Sequence, residues 1–198
     1  MSLANIKLFE SPESDFVLVS GEGHRFPIKK SLLMAVSTVF KDILAVPQKP
    51  DAVQGEVKVT ESTALLDAFL RFLHRGPNPS DLDFKTVRAL FELTDKYDVP
   101  ILHPALALAL VRTAAQEPMD AWALLIIYDQ RDAAKMCFAK MDAAPSATKD
   151  MEVWADGGFT SHRYSPTFIS PELFARIPGP ELQRLLALHD MITRPKYS

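Results

Sequence analysis

The sequence predicts an α+β protein: a mostly helical core with a small mixed sheet near its start, followed by further helices. Two observations carry that reading. The apolar run Phe16-Val17-Leu18-Val19, the turn Gly21-Glu22-Gly23 and the segment Arg25–Ile28 read as strand, tight turn and return strand. Beyond them apolar residues recur at helical spacing in one segment after another, and many of the fifteen prolines fall at the boundaries between segments.

The elements follow in order. Four consecutive apolar residues at Phe16–Val19 imply a strand buried on both faces. Ser31 to Val36 reads helical, with Ile28, Leu32, Leu33 and Val36 on one side. Ser37 can cap a second helix that brings Val39, Phe40, Ile43 and Leu44 together and stops at Pro47. A polar loop runs to Gly55, and Glu56–Thr60 alternates as a half-buried strand does. Glu61 and Ser62 open a helix with Leu65, Leu66, Phe69, Leu70 and Leu73 inward, ending at Gly76-Pro77-Asn78-Pro79. Phe84 to Tyr97 is a helix with Val87, Leu90, Phe91, Thr94 and Tyr97 inward, broken by Asp98-Val99-Pro100. Ile101 to Ala115 is apolar nearly all round, as in a helix that is buried or sits in an interface. Pro118 starts the next helix, with Trp122, Leu125, Ile126 and Asp129 facing one way. Asp132 to Met141 places Ala134, Cys137, Phe138 and Met141 together. Ala143–Asp150 reads as a loop, Gly157-Gly158 as a turn, and Pro171–Arg176 and Glu181–His189 as short helices.

Composition bounds the function. A chain of 198 residues that is 47% hydrophobic can bury a sizeable core, as one large domain or a domain with an extension. A net charge of −3 argues against a broad surface for nucleic acid or anionic membrane. Cys137 is the single cysteine, so no internal disulfide forms. Met1–Lys7 has no long apolar run, and Ala105–Val111 falls far short of the roughly 20 residues of a membrane span. The expectation is a soluble intracellular protein with neither nucleic-acid nor membrane partners.

Nothing reads as chemistry. A thiol nucleophile would pair Cys137 with His162 or His189, but Cys137 lies on an apolar helical face where thiols are inert. The five histidines show no metal-ligand spacing. The nucleophile elbow, the Walker loop and the dinucleotide-binding glycine motif are all missing. No catalytic, cofactor-binding or metal-binding residue is assigned, and the chain is not expected to be an enzyme. Arg163-Tyr164-Ser165-Pro166 is a candidate proline-directed phosphorylation site, and Arg194–Tyr197 a small solvated basic tail.

Four motifs occur in order between about residues 13 and 116. They are Asp15-Phe16-Val17-Leu18-Val19-Ser20 with Gly23 to Leu33, Ser37 to Gln48, Arg71-Phe72-Leu73-His74-Arg75-Gly76, and Leu93-Thr94-Asp95-Lys96-Tyr97-Asp98-Val99. Together they resemble the BTB/POZ domain, most closely the short fungal BTB proteins. The resemblance implies a BTB/POZ-like domain over residues 13–116. It also implies a helical C-terminal extension over 117–198, BACK-like or specific to the family.

The function implied is a protein–protein interaction scaffold or adaptor that self-associates as a homodimer, in cytoplasm or nucleus. The alternative is a substrate adaptor of a cullin-type ubiquitin ligase. Against a cullin partner, Ile43 to Glu56 carries no clean apolar-x-Glu motif of the cullin-binding members. Asp15 and Lys30 match the family's charged pocket, with a structural ion pair at the hairpin base as the other reading. Lys29 stands where the family has histidine. The interface is placed on Asp15, Lys30 and Leu33 together with Val39, Phe40, Ile43 and Leu44, although Phe40 by itself reads first as core.

Overall fold

The computed structural model describes residues 14–46, 55–75, 82–114, 117–143 and 165–193. The N-terminal residues, the loop after Pro47, the stop at Gly76–Pro79, Gly157-Gly158, Arg163-Tyr164 and the basic tail lie outside the described residues. The described chain is mostly helical with one small mixed sheet, so the fold class is α+β as the sequence predicts. It divides into two compact units, residues 1–81 with 85–106, and residues 82–84 with 107–198.

In the first unit, β1 (Phe16–Val19) is the middle strand of three. It pairs antiparallel with β2 (Arg25–Ile28), Phe16 opposite Ile28, and parallel with β3 (Glu56–Lys58), Val17 opposite Glu56. The central place explains the continuous apolar run: Phe16, Leu18 and Val19 are buried, and Val17 is half-buried. The turn needs both glycines. A Cβ on Gly21 would lie 2.8 Å from the Thr60 carbonyl oxygen, and Gly23 has φ of 84°.

A parallel strand requires a crossover. It contains α1 (Lys30–Val36) and α2 (Thr38–Ala45), joined at Ser37. Ser37 caps α2 as predicted, its hydroxyl accepting from the Phe40 N–H at 2.9 Å. Of the expected α1 face, Leu33 and Ile28 (the latter at the end of β2) are buried, whereas Leu32 and Val36 are half-buried.

α3 (Thr63–Arg75) buries Leu66, Phe69, Leu70 and also Phe72, which the predicted stripe omits. Leu65 and Leu73, placed inward by the sequence, are half-buried. α4 (Phe84–Lys96) with Tyr97 buries all five predicted residues. It ends at Asp98, whose φ of 50° lets Val99 N–H reach back to the Thr94 carbonyl at 2.7 Å. A 3-10 turn at Pro100–Leu102 leads into α5 (His103–Thr113). α5 is not enclosed all round. Pro104, Leu108 and Arg112, four residues apart, form an exposed stripe.

In the second unit, α6 (Pro118–Ile127) is buried continuously from Met119 to Leu125, a wider burial than the single face predicted. Asp129 does not join that face. α6 has already ended, and Asp129 is exposed with φ of 53°. α7 (Arg131–Ala143) packs against α6 and buries Ala134 and Cys137. α8 (Pro171–Phe174) is shorter than predicted and α9 (Gly179–Thr193) longer. Asp120, buried in the first turn of α6, accepts from the Ser170 N–H at 2.6 Å ahead of α8.

Candidate partner-binding face

α2 has two sides. Phe40 is fully enclosed and Leu44 nearly so, whereas Ile43 is 38% and Val46 64% exposed. Val39 is half-buried. Val39, Ile43 and Val46 stand at i, i+4 and i+7, so they form one apolar stripe on the flank of the helix.

The inner side is held firmly. The Phe40 ring stacks on Tyr97 with centroids 4.4 Å apart and planes 12° apart. The Ser37 hydroxyl donates to the Tyr97 carbonyl, and the Thr38 hydroxyl to the Asp98 carboxylate. The junction of α1 and α2 is thereby bonded to the end of α4.

Tyr97 also donates its phenol proton to Glu61 Oε2 at 2.6 Å. Glu61 is buried and receives the Lys96 ammonium on Oε1 as well. Burial alone would raise the Glu61 carboxyl, but hydrogen bonds from Lys96 and Tyr97 outweigh it and hold it below its ordinary value. Burial, with the Glu61 carboxylate facing it, pushes the Tyr97 phenol far up, so it stays protonated and donates. In the sequence Glu61 reads only as a helix opener. Nothing local signals its burial, because Tyr97 lies 36 residues away.

Asp15 and Lys30 meet, though not as a pair of charges. The Asp15 carboxylate accepts from the backbone N–H of Lys30 at 2.7 Å. The Lys30 ammonium donates instead to the Leu44 carbonyl near the end of α2, at 3.1 Å. Of the seven interface residues expected, Asp15 and Ile43 are exposed, Lys30 and Val39 half-buried, and Leu33, Phe40 and Leu44 buried.

Among the described residues no group of three or more His, Cys, Asp or Glu is placed to hold a metal ion. An apolar groove of about 370 Å³ in the second unit is lined by Pro166, Thr167, Ile169, Pro171 and Phe174, none of which titrates. Cys137 is fully buried. Ser165, in the candidate phosphorylation site, is buried with its hydroxyl against that of Thr167 at 2.8 Å. No helix among the described residues is long and apolar enough to cross a membrane.

The BTB/POZ domain model matches residues 6–113, more than half of the 198-residue chain. No curated protein matches the chain.

Proposed function

The chain belongs to the BTB/POZ domain family, and from that premise we propose that it is a scaffold or adaptor that self-associates as a homodimer through the α2 face. BTB/POZ domains are generally protein–protein interaction modules rather than enzymes, and they commonly mediate dimerisation. The observation that carries the reading is the apolar stripe ending in Ile43 and Val46, exposed on a helix whose other side is locked to Tyr97. Exposed apolar side chains grouped on a rigid element are the usual centre of an interface.

The seven residues divide the work. Val39 and Ile43 meet the partner, with Val46 beside them, while Asp15 and Lys30 flank the contact. Leu33, Phe40 and Leu44 lie behind and set its shape. A standard interface covers about 800 Å² per partner. Three side chains supply only its centre, and neighbouring surface of the first unit supplies the rest.

The motifs at Asp15–Leu33 and Ser37–Gln48 support a place near the short fungal BTB proteins. The match to residues 6–113 supports a domain over 13–116; residues 117–198 are then a helical extension that offers a second binding site. Such a scaffold works inside the cell, in cytoplasm or nucleus.

Light scattering over a dilution series tests the proposal. The expected mass is twice the 22.1 kDa of one chain. Ile43→Asp, at an exposed position, is expected to return it to one chain without unfolding it. A single-chain mass at every concentration overturns the homodimer. Direct binding to a cullin N-terminal region, if measured, would favour the ligase adaptor.

A further inference from the structure

The end of α2 draws a partner from outside the helix. The last four carbonyls of a helix have no intrahelical donor, and α2 has no basic residue in its own last turn. Beyond Val46 the chain continues with Pro47, which has no N–H to return to the Ile43 carbonyl. Among the described residues, a donor comes from another helix. Lys30, the first residue of α1, sends its ammonium to the Leu44 carbonyl at 3.1 Å. It also places a positive charge at the negative end of the α2 dipole. Its own backbone is anchored in turn, because Asp15 accepts from its N–H at 2.7 Å. Asp15 and Lys30 therefore act in series, from the residue before β1 to the start of α1 to the end of α2. They are not two halves of one ion pair.

Leu44 lies between Ile43 and Val46, the two large apolar residues exposed on α2 and its cap. Whatever holds the Leu44 carbonyl therefore fixes how those two side chains are presented. We infer that Lys30 is the positioning residue of the α2 face: its charge closes the last turn from outside and holds Ile43 and Val46 in the orientation a partner reads. The inference rests on the self-association reading for its functional meaning, but its local part stands on geometry alone.

The test uses the full chain with Lys30→Met and Lys30→Arg. Amide exchange of Ile43, Leu44 and Ala45 reports the last turn of α2, with the Leu18 amide in the central strand as internal reference. Lys30→Met is expected to speed exchange at the three α2 amides by about tenfold while leaving Leu18 unchanged, and to weaken self-association by about tenfold. Lys30→Arg, which keeps a charged donor, is expected to restore both. Should the methionine variant lose its fold, Lys30→Leu, which also lacks both charge and donor, serves the same comparison. Unchanged exchange at the α2 amides overturns the positioning role. Faster exchange with undiminished association overturns its link to the partner face. A wild-type chain that never associates sinks the homodimer reading by itself, and the exchange measurement still decides the role of Lys30.

Discussion

The phenol of Tyr97 reaches Glu61 at 2.6 Å while its ring lies flat against Phe40 at 4.4 Å. One side chain thus ties the start of α3 to the inner side of α2. Tyr97→Phe keeps the stack and removes the donor, leaving a buried carboxylate oxygen without its phenol partner. The expected loss is about 1–3 kcal/mol in urea denaturation. Tyr97→Leu, which gives up the stack as well, is expected to cost about 0.5–1.5 kcal/mol more. Equal stability of the phenylalanine variant and the wild type would show that the bond is worth nothing net.

Stability depends on pH at both ends. Glu61 is held below its ordinary 4.5, so the folded chain binds fewer protons there than the unfolded one. Its contribution is complete above about pH 4.5 and disappears as pH falls through the folded value. Burial lowers His103 from 6.5, only partly offset by Asp95, and the same sign applies: stability begins to fall as pH drops below 6.5. Tyr97 has the opposite sign. Its raised value means that stability present below its ordinary 10.0 is lost as pH rises beyond it. Thermal midpoints across a pH series are expected to show a plateau between these limits. Glu61→Gln should flatten the acid limb near 4.5, and His103→Gln the one near 6.5.

Ser37 serves two elements at once, accepting from Phe40 N–H and donating to the Tyr97 carbonyl. Ser37→Ala is expected to cost about 1–2 kcal/mol in chemical denaturation, in the upper range for a helix cap. Ser37→Thr, which keeps the hydroxyl, should recover most of that. An alanine variant as stable as the wild type would mean that the cap and the tie to Tyr97 are both dispensable.

Two glycines make a paired test. Gly21→Ala drives a methyl to 2.8 Å from a backbone oxygen that cannot yield cheaply, so a clear drop in the thermal midpoint is expected. Gly179→Ala at the start of α9 meets nothing within 4 Å beyond its chain neighbours and should move the midpoint far less. Similar shifts for the two variants would contradict the close packing of the turn against Thr60.

The parts of the fold legible in the sequence are those set by neighbours along the chain. The hairpin at Phe16–Val19 and Arg25–Ile28 follows from an apolar run and a glycine turn, and the five inward residues of α4 follow from helical period alone. Ser37 signals its cap by residue type and position. What escaped depends on partners far away in sequence. Glu61 looks like any polar helix opener until Lys96 and Tyr97 arrive. The continuous burial of α6 comes from elements on several of its sides, among them α7 and α8. At the candidate face, residue types pointed to Asp15 and Lys30 as charges. The structure joins them through a backbone N–H, which no side-chain pattern encodes.

The parallel pairing of β1 with β3 also carries a consequence in time. β2 follows β1 through a tight turn, so that pair can close within microseconds. β3 can align with β1 only after the chain has travelled through both α1 and α2, a far larger loop to close. The sheet is thus assembled in two acts, with its antiparallel half early and its parallel edge late. Phe26, on the early side, should give a higher φ-value in folding kinetics than Val57 on the late one. A fault in the crossover helices would then leave a formed hairpin with one bare edge, the kind of intermediate that recruits a stranger's strand before its own returns.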